Sequence, residues 1–437
     1  MIDIKNVVVL GANGTMGAGS GEVFAAGGCD VVLLARDADK AQEGVRGAQN
    51  MAKSERIADR LSVGTYERDL ERVVSKADLI FEALAEEIEL KKTFFTRVDK
   101  CRRPESIVAT VSSGLSIAEM ARGRSDTFRR NFLGIHLFNP PNVIVGTEVI
   151  PHTDTDPHLV PEVVRLLETR FGRVAIVTDD KPAFAGNRVG FKVLNEVALL
   201  AEEHGVAFID YLIGPHTGRA MPPLATIDLV GWDVHKAIVD NVHANTKDEA
   251  HALFKMPAYM DKLAAAGHLG NKTAVRGGFY RRVKDGKQTT TLALDPKTGT
   301  YHDTRTNAHP PVPFVETMKA LHRVGRYREA FKVFAEASGA EADLAKRVVL
   351  GYISYALNRV GDTEVVRSPR DVDRIMGFGF NWAPPTVLVD VLGVPTTIGL
   401  LEKQKLPVPR VLQQAAQHPT ERMFRERHVN IGRFFAG

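Results

Sequence analysis

The first third of the chain alternates short apolar runs with stretches of helical character. Apolar runs that begin at Val7 and within 30–36, 77–87 and 106–115 predict four strands, and the segments between them have helical patterns. Strands that alternate with helices are typical of a parallel sheet covered by helices. The pattern therefore predicts an α/β domain of Rossmann type over residues 1–180.

A different pattern begins after Asp180, where the apolar runs give way to long helical periods. Residues 187–203 carry apolar side chains at helical spacing and predict an amphipathic helix with one face toward a core. The rest of the chain therefore predicts helical structure.

An internal repeat divides this helical part. The segment "MPPLATIDLVG" (221–231) returns as "APPTVLVDVLG" (383–393), and "DYLIG" (210–214) is echoed by "DRIMG" (373–377). We therefore predict two all-α domains related by the repeat, over 181–285 and 315–437. The polar segment 286–314 between them predicts a linker, with a short hairpin at 294–301.

Composition and charge narrow the classes of partner and the compartment that we expect, but they do not indicate a function. A net charge of +4 with 25% charged and 44% hydrophobic residues is ordinary for a globular protein and favours neither nucleic-acid nor membrane partners. Two cysteines are too few for a disulfide framework and fit a reducing compartment. No apolar run is long enough to span a bilayer, and the first strand begins too early for a secretory signal. We therefore expect a cytoplasmic protein.

A glycine turn between the first strand and the first helix is the first chemical motif. Gly11, Gly14 and Gly17 form G-x-x-G-x-x-G, which is one residue longer, at Asn13, than the usual G-x-G-x-x-G of dinucleotide-binding folds. Glycines at such a turn let the backbone approach a pyrophosphate, and the helix start supplies N–H donors. A tight turn without a ligand is the alternative.

The end of the second strand bears on the choice of dinucleotide. An acidic residue there binds the ribose 2′-OH of NAD, whereas an arginine accommodates the 2′-phosphate of NADP. The expected acidic position holds Ala35, followed by Arg36, which favours NADP. A shift of one residue would instead direct Asp37 to the ribose and Arg36 to solvent, so both cofactors remain open.

Polar residues at predicted strand ends are candidates for the cleft of such a sheet, because ligands bind beyond the carboxyl ends of parallel strands. Glu86 and Ser113 both follow strands. Ser113 has an alternative role in turn formation, or as a cap for a helix that begins near Ser116. His136 and Glu148 are also candidates, because they interrupt the otherwise apolar segment "GIHLFNPPNVIVGTEVI" (134–150).

Seven motifs, taken in order, resemble one family, the L-3-hydroxyacyl-CoA dehydrogenases. The resemblance covers roughly residues 5 to 285 and rests on the ordered set rather than on any one motif. The motifs are "GTMG" (Gly14, Thr15, Met16, Gly17), "FEALAEEIELKKTFF" (81–95), "ATVSSGLSI" (109–117), "GIHLFNPP" (134–141), "KPAFAGNRV" (181–189), "GRAMPPLATIDLVG" (218–231) and "LGNKTAVRGGFY" (269–280).

The resemblance implies roles by position. His136 corresponds to the family's general acid or base, Glu148 to its orienting carboxylate, and Ser113 and Asn187 to the groups that bind the reacting oxygen. Glu86 and Lys91 correspond to positions at the nicotinamide end of the cofactor, and the family's cofactor is NAD. Three positions depart from the family pattern and place substrate contacts in question: Val111, Gly114 and Val145.

A histidine paired with a carboxylate suits alcohol oxidation, in which a proton leaves oxygen as hydride leaves carbon. Histidine has the pKa of a base that works near neutral pH, and a neighbouring carboxylate supports its cation in an apolar site. The twelve residues from His136 to Glu148 allow a strand to pass through "NPP" and return alongside. For either residue alone, a structural role in the core is the alternative.

The resemblance predicts a reversible, NAD(P)-dependent oxidation of 3-hydroxyacyl-CoA to 3-oxoacyl-CoA, as in fatty acid β-oxidation, without a metal. No residues remain for a hydratase domain. The second helical copy resembles the tandem carboxy-terminal domains of larger members, so we expect it to replace a partner subunit within one chain, although a homodimer stays open. Two alternatives are a dehydrogenase of another small β-hydroxyacid, which would generally use a lysine, and a catalytically silent nucleotide-binding scaffold.

Overall fold

The computed structural model describes residues 2–286, 288–306, 309–426 and 429–435. The chain forms two compact units. The first comprises Met1–Ala185 together with the short segment Phe378–Phe380, and the second comprises Gly186–Gly377 and Asn381–Gly437.

The first unit is built on a sheet that has eight strands within residues 2–286, in the order β3-β2-β1-β4-β5-β6-β7-β8. The first six strands are parallel, and β7 runs antiparallel to β6 and parallel to β8. The strand bounds are β1 Asn6–Leu10, β2 Asp30–Ala35, β3 Leu61–Thr65, β4 Leu79–Glu82, β5 Ile107–Thr110, β6 Phe132–Leu137, β7 Gly146–Pro151 and β8 Val174–Val177.

Helices connect these strands and cover the sheet. Alternate residues of β1 point to opposite faces, so that Val7 and Val9 join one hydrophobic core while Val8 and Leu10 join another. Burial of both faces explains why the parallel strands are almost wholly apolar. The helices are α1 Thr15–Ala26, α2 Ala38–Ala52, α3 Leu70–Val74, α4 Ile88–Cys101, α5 Ile117–Ala121, α6 Asp126–Arg130 and α7 Leu159–Thr169, with a 3₁₀ helix at Glu55–Arg60.

This arrangement confirms the predicted Rossmann-type domain, with differences in detail. The strands predicted at 77–87 and 106–115 are β4 and β5, and both end earlier than their apolar patterns suggested. Strand β3 was missed because it is a short edge strand with Ser62 and Val63 exposed, so its sequence lacks a continuous apolar run. From β1 the chain adds β2 and β3 on one side of the sheet and β4 onward on the other side. Where the direction of strand addition reverses, between β1 and β4, a crevice opens beyond the carboxyl ends of the strands.

The second unit is mainly helical. Its helices are α8 Gly186–His204, α9 Val206–Leu212, α10 Pro223–Val230, α11 Trp232–Asn245, α12 Ala258–Ala265, α13 Pro313–Arg323, α14 Tyr327–Glu336, α15 Ala340–Asn358, α16 Pro369–Phe378, α17 Pro385–Leu392, α18 Val394–Lys403 and α19 Arg410–Ala415, with 3₁₀ helices at Pro215–Thr217, His251–Phe254, Gly270–Thr273 and Ile431–Phe434.

The helix predicted over 187–203 is present as α8 with its apolar face in a core, and its polar face is buried as well. Residues from Gly186 to Ala198 are buried on every side of the helix. The reason is that α15 packs against the polar face: Arg188 donates to the Tyr355 hydroxyl at 3.1 Å, and a Cβ added at Gly351 would lie 2.9 Å from the Lys192 ammonium. Polar residues on α8 are therefore partners for a second helix rather than for water.

The segment predicted as a linker over 286–314 contains regular structure. Among the described residues, strands β9 Tyr280–Asp285, β10 Gln288–Leu294 and β11 Tyr301–Asp303 form an antiparallel sheet of three strands. The β10–β11 hairpin turns through 295–300, and β-branched threonines in β10 favour the strand. The expectation of purely helical domains was wrong at this point, and positions 287, 307 and 308 lie outside the described residues.

No single helix in the described ranges is long and apolar enough to cross a membrane. The consecutive helices α17 and α18 together have the length and composition for it, but they are bent by 102° at their junction.

Candidate active site

His136 and Glu148 face each other on neighbouring strands. They are direct cross-strand partners in the antiparallel pairing of β6 and β7, and His136 Nδ1 lies 2.7 Å from Glu148 Oε2. Both side chains are buried, with exposures of 3% and 0%. The prediction that the chain returns alongside after "NPP" is confirmed. Because an ionised carboxylate only accepts, the neutral tautomer that fits this contact has its hydrogen on Nδ1 and its lone pair on Nε2.

A strained segment at the end of the first unit holds the second oxygen of the carboxylate. The backbone N–H of Ala185 donates to Glu148 Oε1 at 2.9 Å. The two preceding residues, Ala183 and Phe184, have left-handed backbones with φ of 60° and 51°. Non-glycine residues rarely adopt this conformation, and such strain concentrates at functional sites. It also brings the Phe184 ring to 5.9 Å from the His136 ring.

The connection between β6 and β7 is braced by one buried arginine. The Arg173 guanidinium, next to β8, donates to the carbonyl of Pro141 at 2.8 Å and also to that of Ile144. Burial lowers the pKa of Arg173 to about 10, which the nearby Glu22 carboxylate opposes. Because these carbonyls belong to the chain between His136 and Glu148, the arginine helps to fix the pairing of the two strands.

Sequence reasoning missed a buried carboxylate at the end of β4. Glu82 accepts from the Lys91 ammonium at 2.8 and 3.0 Å, and both side chains have no exposed surface. Lys91 also lies 3.3 Å from Glu86. Its ammonium is therefore shared by two carboxylates, one at the end of the strand and one in the loop after it. A glutamate at the end of the buried strand "LIFE", nine residues before a lysine, was the signal available in the sequence.

Glu86 joins this network to the loop that carries the predicted serine. Its Oε1 accepts from the Ser112 hydroxyl at 2.6 Å and from the Ser113 N–H at 2.8 Å. The structure thus brings Glu86, Lys91 and Ser113 together beyond the ends of β4 and β5. The cap of α5 is Ser116, whose Oγ accepts from the Glu119 N–H, so capping is not the role of Ser113.

Asn187 belongs to the second unit, where it lies buried in the first turn of α8. It follows Ala185, the donor to Glu148, by two residues in the chain. Its contact with a reacting oxygen stays a prediction, as do the cofactor contacts of Glu86 and Lys91.

The glycine turn has the shape that a pyrophosphate requires. Gly11 has φ of 97°, and a Cβ added at Gly11 would lie 2.2 Å from the Ala83 carbonyl oxygen. A Cβ added at Gly17 would lie 2.0 Å from the Gly11 carbonyl oxygen, so neither position has room for a side chain. Gly14 precedes α1, which has no side-chain cap, and a Cβ there would meet nothing closer than 3.6 Å. The helix start thus has uncapped N–H groups and open space, which fits a dinucleotide phosphate.

The other residues of the turn and the end of β2 complete this part of the site. Asn13 and Thr15 are exposed beside the helix start, and Met16 is half-buried. Ala35 ends β2 and Arg36 is exposed, whereas Asp37 is the N-cap of α2 and accepts from the Lys40 N–H at 2.8 Å. One oxygen of Asp37 is therefore used within the protein. Among the described residues, no group of three or more His, Cys, Asp or Glu side chains is arranged to hold a metal ion.

Known proteins resemble this chain over the same regions. Residues 6–181 match the family described as 3-hydroxyacyl-CoA dehydrogenase, NAD binding domain, and residues 184–282 match 3-hydroxyacyl-CoA dehydrogenase, C-terminal domain. A probable 3-hydroxyacyl-CoA dehydrogenase of Deinococcus radiodurans is 32% identical over 298 residues, which cover 65% of this chain and 84% of that protein.

A second relative and a solved structure extend the likeness. A probable 3-hydroxyacyl-CoA dehydrogenase of Bacillus subtilis is 29% identical over 368 residues, which cover 83% of this chain but only 45% of that protein, so the matched region spans about half of its length. The crystal structure of 3-hydroxybutyryl-CoA dehydrogenase from Escherichia coli shares the fold, with a TM-score of 0.68 at 22% identity over 96% of this chain and 99% of that one. The chain therefore belongs to the 3-hydroxyacyl-CoA dehydrogenase family, and its first unit carries that family's NAD-binding domain.

Proposed function

We propose that this protein catalyses the reversible, NAD-dependent oxidation of a 3-hydroxyacyl-CoA to the 3-oxoacyl-CoA, with His136 and Glu148 as the acid–base pair. The observation that carries the proposal is the buried contact of 2.7 Å between these two side chains in the NAD-binding domain of a dehydrogenase family. Family membership supports the reaction class, and the geometry supports the role of each residue.

In the direction of oxidation, His136 Nε2 accepts the proton of the substrate hydroxyl. Glu148 holds Nδ1–H throughout, so the lone pair of Nε2 stays available and the imidazolium that forms has a counter-charge in contact. Ser113 and Asn187 donate hydrogen bonds to the reacting oxygen. NAD supplies the hydride acceptor. The rings of Phe138, at 4.6 Å, and Phe184 keep water from the imidazole, which strengthens its attraction to the carboxylate.

The residues around the glycine turn bind the cofactor in this proposal. Gly11, Gly14 and Gly17 let the backbone approach the pyrophosphate, and Asn13, Thr15 and Met16 flank it. Arg36 at the end of β2 leaves use of NADP open, because its guanidinium is exposed and Asp37 is engaged as a helix cap.

We further propose that 181–285 and 315–437 are two copies of one helical domain. Matching hydrogen bonds support this: Asp210 accepts from the N–H groups of Leu224 and Ala225 at the start of α10, and Asp373 accepts from that of Thr386 at the start of α17.

A second pair of carboxylates, at equivalent positions of the two copies, also accepts hydrogen bonds from matching backbone N–H groups. Asp228 accepts from the N–H groups of two consecutive residues, 279 and 280, and Asp390 accepts from those of 423 and 424. Both α10 and α17 begin with Pro–Pro and end at a glycine with positive φ, 101° at Gly231 and 89° at Gly393. Sequence repetition thus coincides with repetition of backbone capping.

The second copy replaces a partner subunit in this proposal. Arg188 of α8 bonds to Tyr355 of α15, and Arg359 at the end of α15 binds Asp248 and Glu249 of the first copy. These hydrogen bonds and ion pairs connect the two copies, which lie within one compact unit. Sedimentation is the test: we expect a monomer, and a tight dimer mediated by 181–285 would reject the idea.

The test of the reaction is reduction of acetoacetyl-CoA, followed by the loss of absorbance of NADH and, separately, of NADPH. We expect turnover with NADH, and a decrease in kcat of about 10²–10⁴-fold in His136→Ala, since a positioned acid–base group contributes that much. Cofactor binding, measured by NADH fluorescence, should be unchanged in this variant. A near-normal kcat in His136→Ala would reject the assignment, and an inactive wild-type protein with acyl chains of several lengths would reject the reaction.

A further inference from the structure

A short segment of the second helical copy belongs to the first unit. Phe378 is the last residue of α16, and Gly379 and Phe380 follow it. These three residues group with the first unit, while Gly377 and Asn381 on either side do not. Their backbone contacts the first residue of β7: a Cβ added at Gly146 would lie 2.6 Å from the Gly379 nitrogen and 2.7 Å from the Phe378 carbonyl carbon. The segment therefore packs directly on the strand that carries Glu148.

Two aromatic rings connect this segment to the imidazole. The Phe380 ring meets the Phe138 ring edge to face, with centroids 5.7 Å apart and planes at 68°. The Phe138 ring also packs edge to face on the His136 ring, with centroids 4.6 Å apart and planes at 63°. Phe138 is 8% exposed. Its ring is thus held between the histidine and Phe380, and edge-to-face pairs of this kind have a preferred geometry.

The far end of the segment is anchored. Asn381 has a left-handed backbone with φ of 53°, and the next residue, Trp382, is 2% exposed. The N–H of Trp382 donates to the Met376 carbonyl at 3.0 Å, and its ring lies 4.9 Å from the Arg219 guanidinium. The segment is therefore a fixed turn rather than a free loop, and it can hold a ring in one place.

The first helical copy, within the described residues 181–285, has no counterpart of this aromatic segment. The corresponding chain after Gly214 reads Pro215-His216-Thr217, forms a 3₁₀ helix and carries no pair of phenylalanines. The aromatic segment is thus particular to the copy that has no active-site motif of its own.

We propose that Phe380 is a positioning residue for the acid–base histidine: it holds Phe138 against the His136 ring, so a three-residue segment of the second repeat completes the active site within the first unit. This inference rests on the proposed function for its kinetic consequence, but its geometric part does not. Glu148 holds Nδ1 of the imidazole, and the rings of Phe138 and Phe184 pack against the imidazole ring and restrict its rotation. A displacement of about 1 Å at a reacting group can decrease turnover about 10²-fold.

Two variants test the proposal by different routes. Phe380→Leu removes the ring, and Gly146→Ala displaces the Phe378–Gly379 backbone by steric contact without touching either ring. We expect each to lower kcat about 10-fold with KM for NADH unchanged, and the double variant to be no worse than the more severe single one, because both act through one contact. Phe380→Tyr, which keeps the ring, should retain kcat. Gly399→Ala is the matched control, since a Cβ there meets nothing within 4 Å.

A spectroscopic measurement separates positioning from loss of stability. In protein with ¹³C-labelled histidine rings, the His136 signal is identified by its absence in His136→Ala. The ring currents of Phe138 make this signal sensitive to the Phe138–His136 geometry, so it should shift in Phe380→Leu and Gly146→Ala, and stay in place in Gly399→Ala and Phe380→Tyr.

The outcomes distinguish this inference from the proposed function. An unshifted His136 signal together with a kcat within twofold of wild type in Phe380→Leu would overturn it. If Phe380→Leu does not fold, the same result in Gly146→Ala overturns it. If the wild-type protein turns over no 3-oxoacyl-CoA, the proposed function fails, and the His136 signal alone decides whether Phe380 positions the ring.

Discussion

Glu148→Gln is the sharpest single perturbation of the active site, because it removes one charge and preserves the shape. The carboxylate accepts hydrogen bonds from His136 Nδ1–H at 2.7 Å and from the Ala185 N–H at 2.9 Å. An amide cannot accept both with its two terminal atoms. If its oxygen keeps the bond to Ala185, its NH₂ group faces His136, and the imidazole must then carry its hydrogen on Nε2. That tautomer cannot take the proton of an alcohol.

The size of the effect follows from the charge that is lost. Two unit charges at about 4 Å attract each other by about 4 kcal/mol at an effective dielectric constant of about 20. The imidazolium formed in oxidation loses that stabilisation in Glu148→Gln, which corresponds to about 10³-fold in rate. Because both partners are buried, added salt should screen the interaction little in the wild type.

The assay is oxidation of 3-hydroxybutyryl-CoA under saturating NAD, with Glu105→Gln, an exposed glutamate, as the matched control. We expect kcat to fall about 10³-fold in Glu148→Gln, and the double variant with His136→Ala to be little worse than either single variant, since the two residues act as one unit. NADH binding should be normal. A kcat within about threefold of wild type in a folded Glu148→Gln protein would refute the reasoning.

Three further predictions concern cofactor choice, stability and pH. Arg36→Ala should lower kcat/KM for NADPH about 10-fold and leave that for NADH unchanged, because one charge-assisted bond to a 2′-phosphate is lost; equal effects on both cofactors would contradict this role. Lys91→Met leaves the buried Glu82 carboxylate without its cation and should destabilise the first unit by about 3–5 kcal/mol in chemical denaturation. Burial raises the pKa of Asp373 from 3.8 to about 8, with smaller contributions from Asp390 and Glu426. The folded state therefore holds a proton that the unfolded state loses, and wild-type stability declines as pH rises from about 4 to about 8. The melting temperature of Asp373→Asn relative to wild type should rise across that window, and a constant difference would contradict the assignment.

Much of the fold could be predicted from periodicity, because parallel strands buried on both faces leave continuous apolar runs. The return of the chain after "NPP" was also predictable, since a turn between two apolar runs favours antiparallel pairing, and the structure makes His136 and Glu148 direct partners. The edge strand β3 and strand β9 were not predictable in this way, because their residues are partly exposed and lack a clear apolar run. The hairpin predicted at 294–301 from its turn residues is confirmed by the pairing of β10 with β11.

The parts of the site that escaped prediction are those that depend on distant segments. The sequence places Glu82 and Glu86 within nine residues of Lys91, but only the turn of the chain from the end of β4 into α4 shows that both carboxylates contact the ammonium. The pattern of α8 showed one face toward a core, and only the packing of α15 reveals that its polar face is an internal interface too. Phe380 stands more than two hundred residues after His136, and its contact depends on a tertiary arrangement that local patterns do not record.

The pairing of β6 with β7 makes the length of the chain between them part of the chemistry. Side chains alternate along a strand, so a shift of β7 by one position would turn Glu148 and the rest of its face to the opposite side of the sheet, although no residue type would change. Arg173 donates hydrogen bonds to carbonyls of the chain between Phe138 and Gly146. An insertion or deletion of a single residue in this chain would therefore abolish turnover, although every reacting group would still be present. Among natural variants, spacing at this point should be as informative as residue identity when active members are separated from inactive ones.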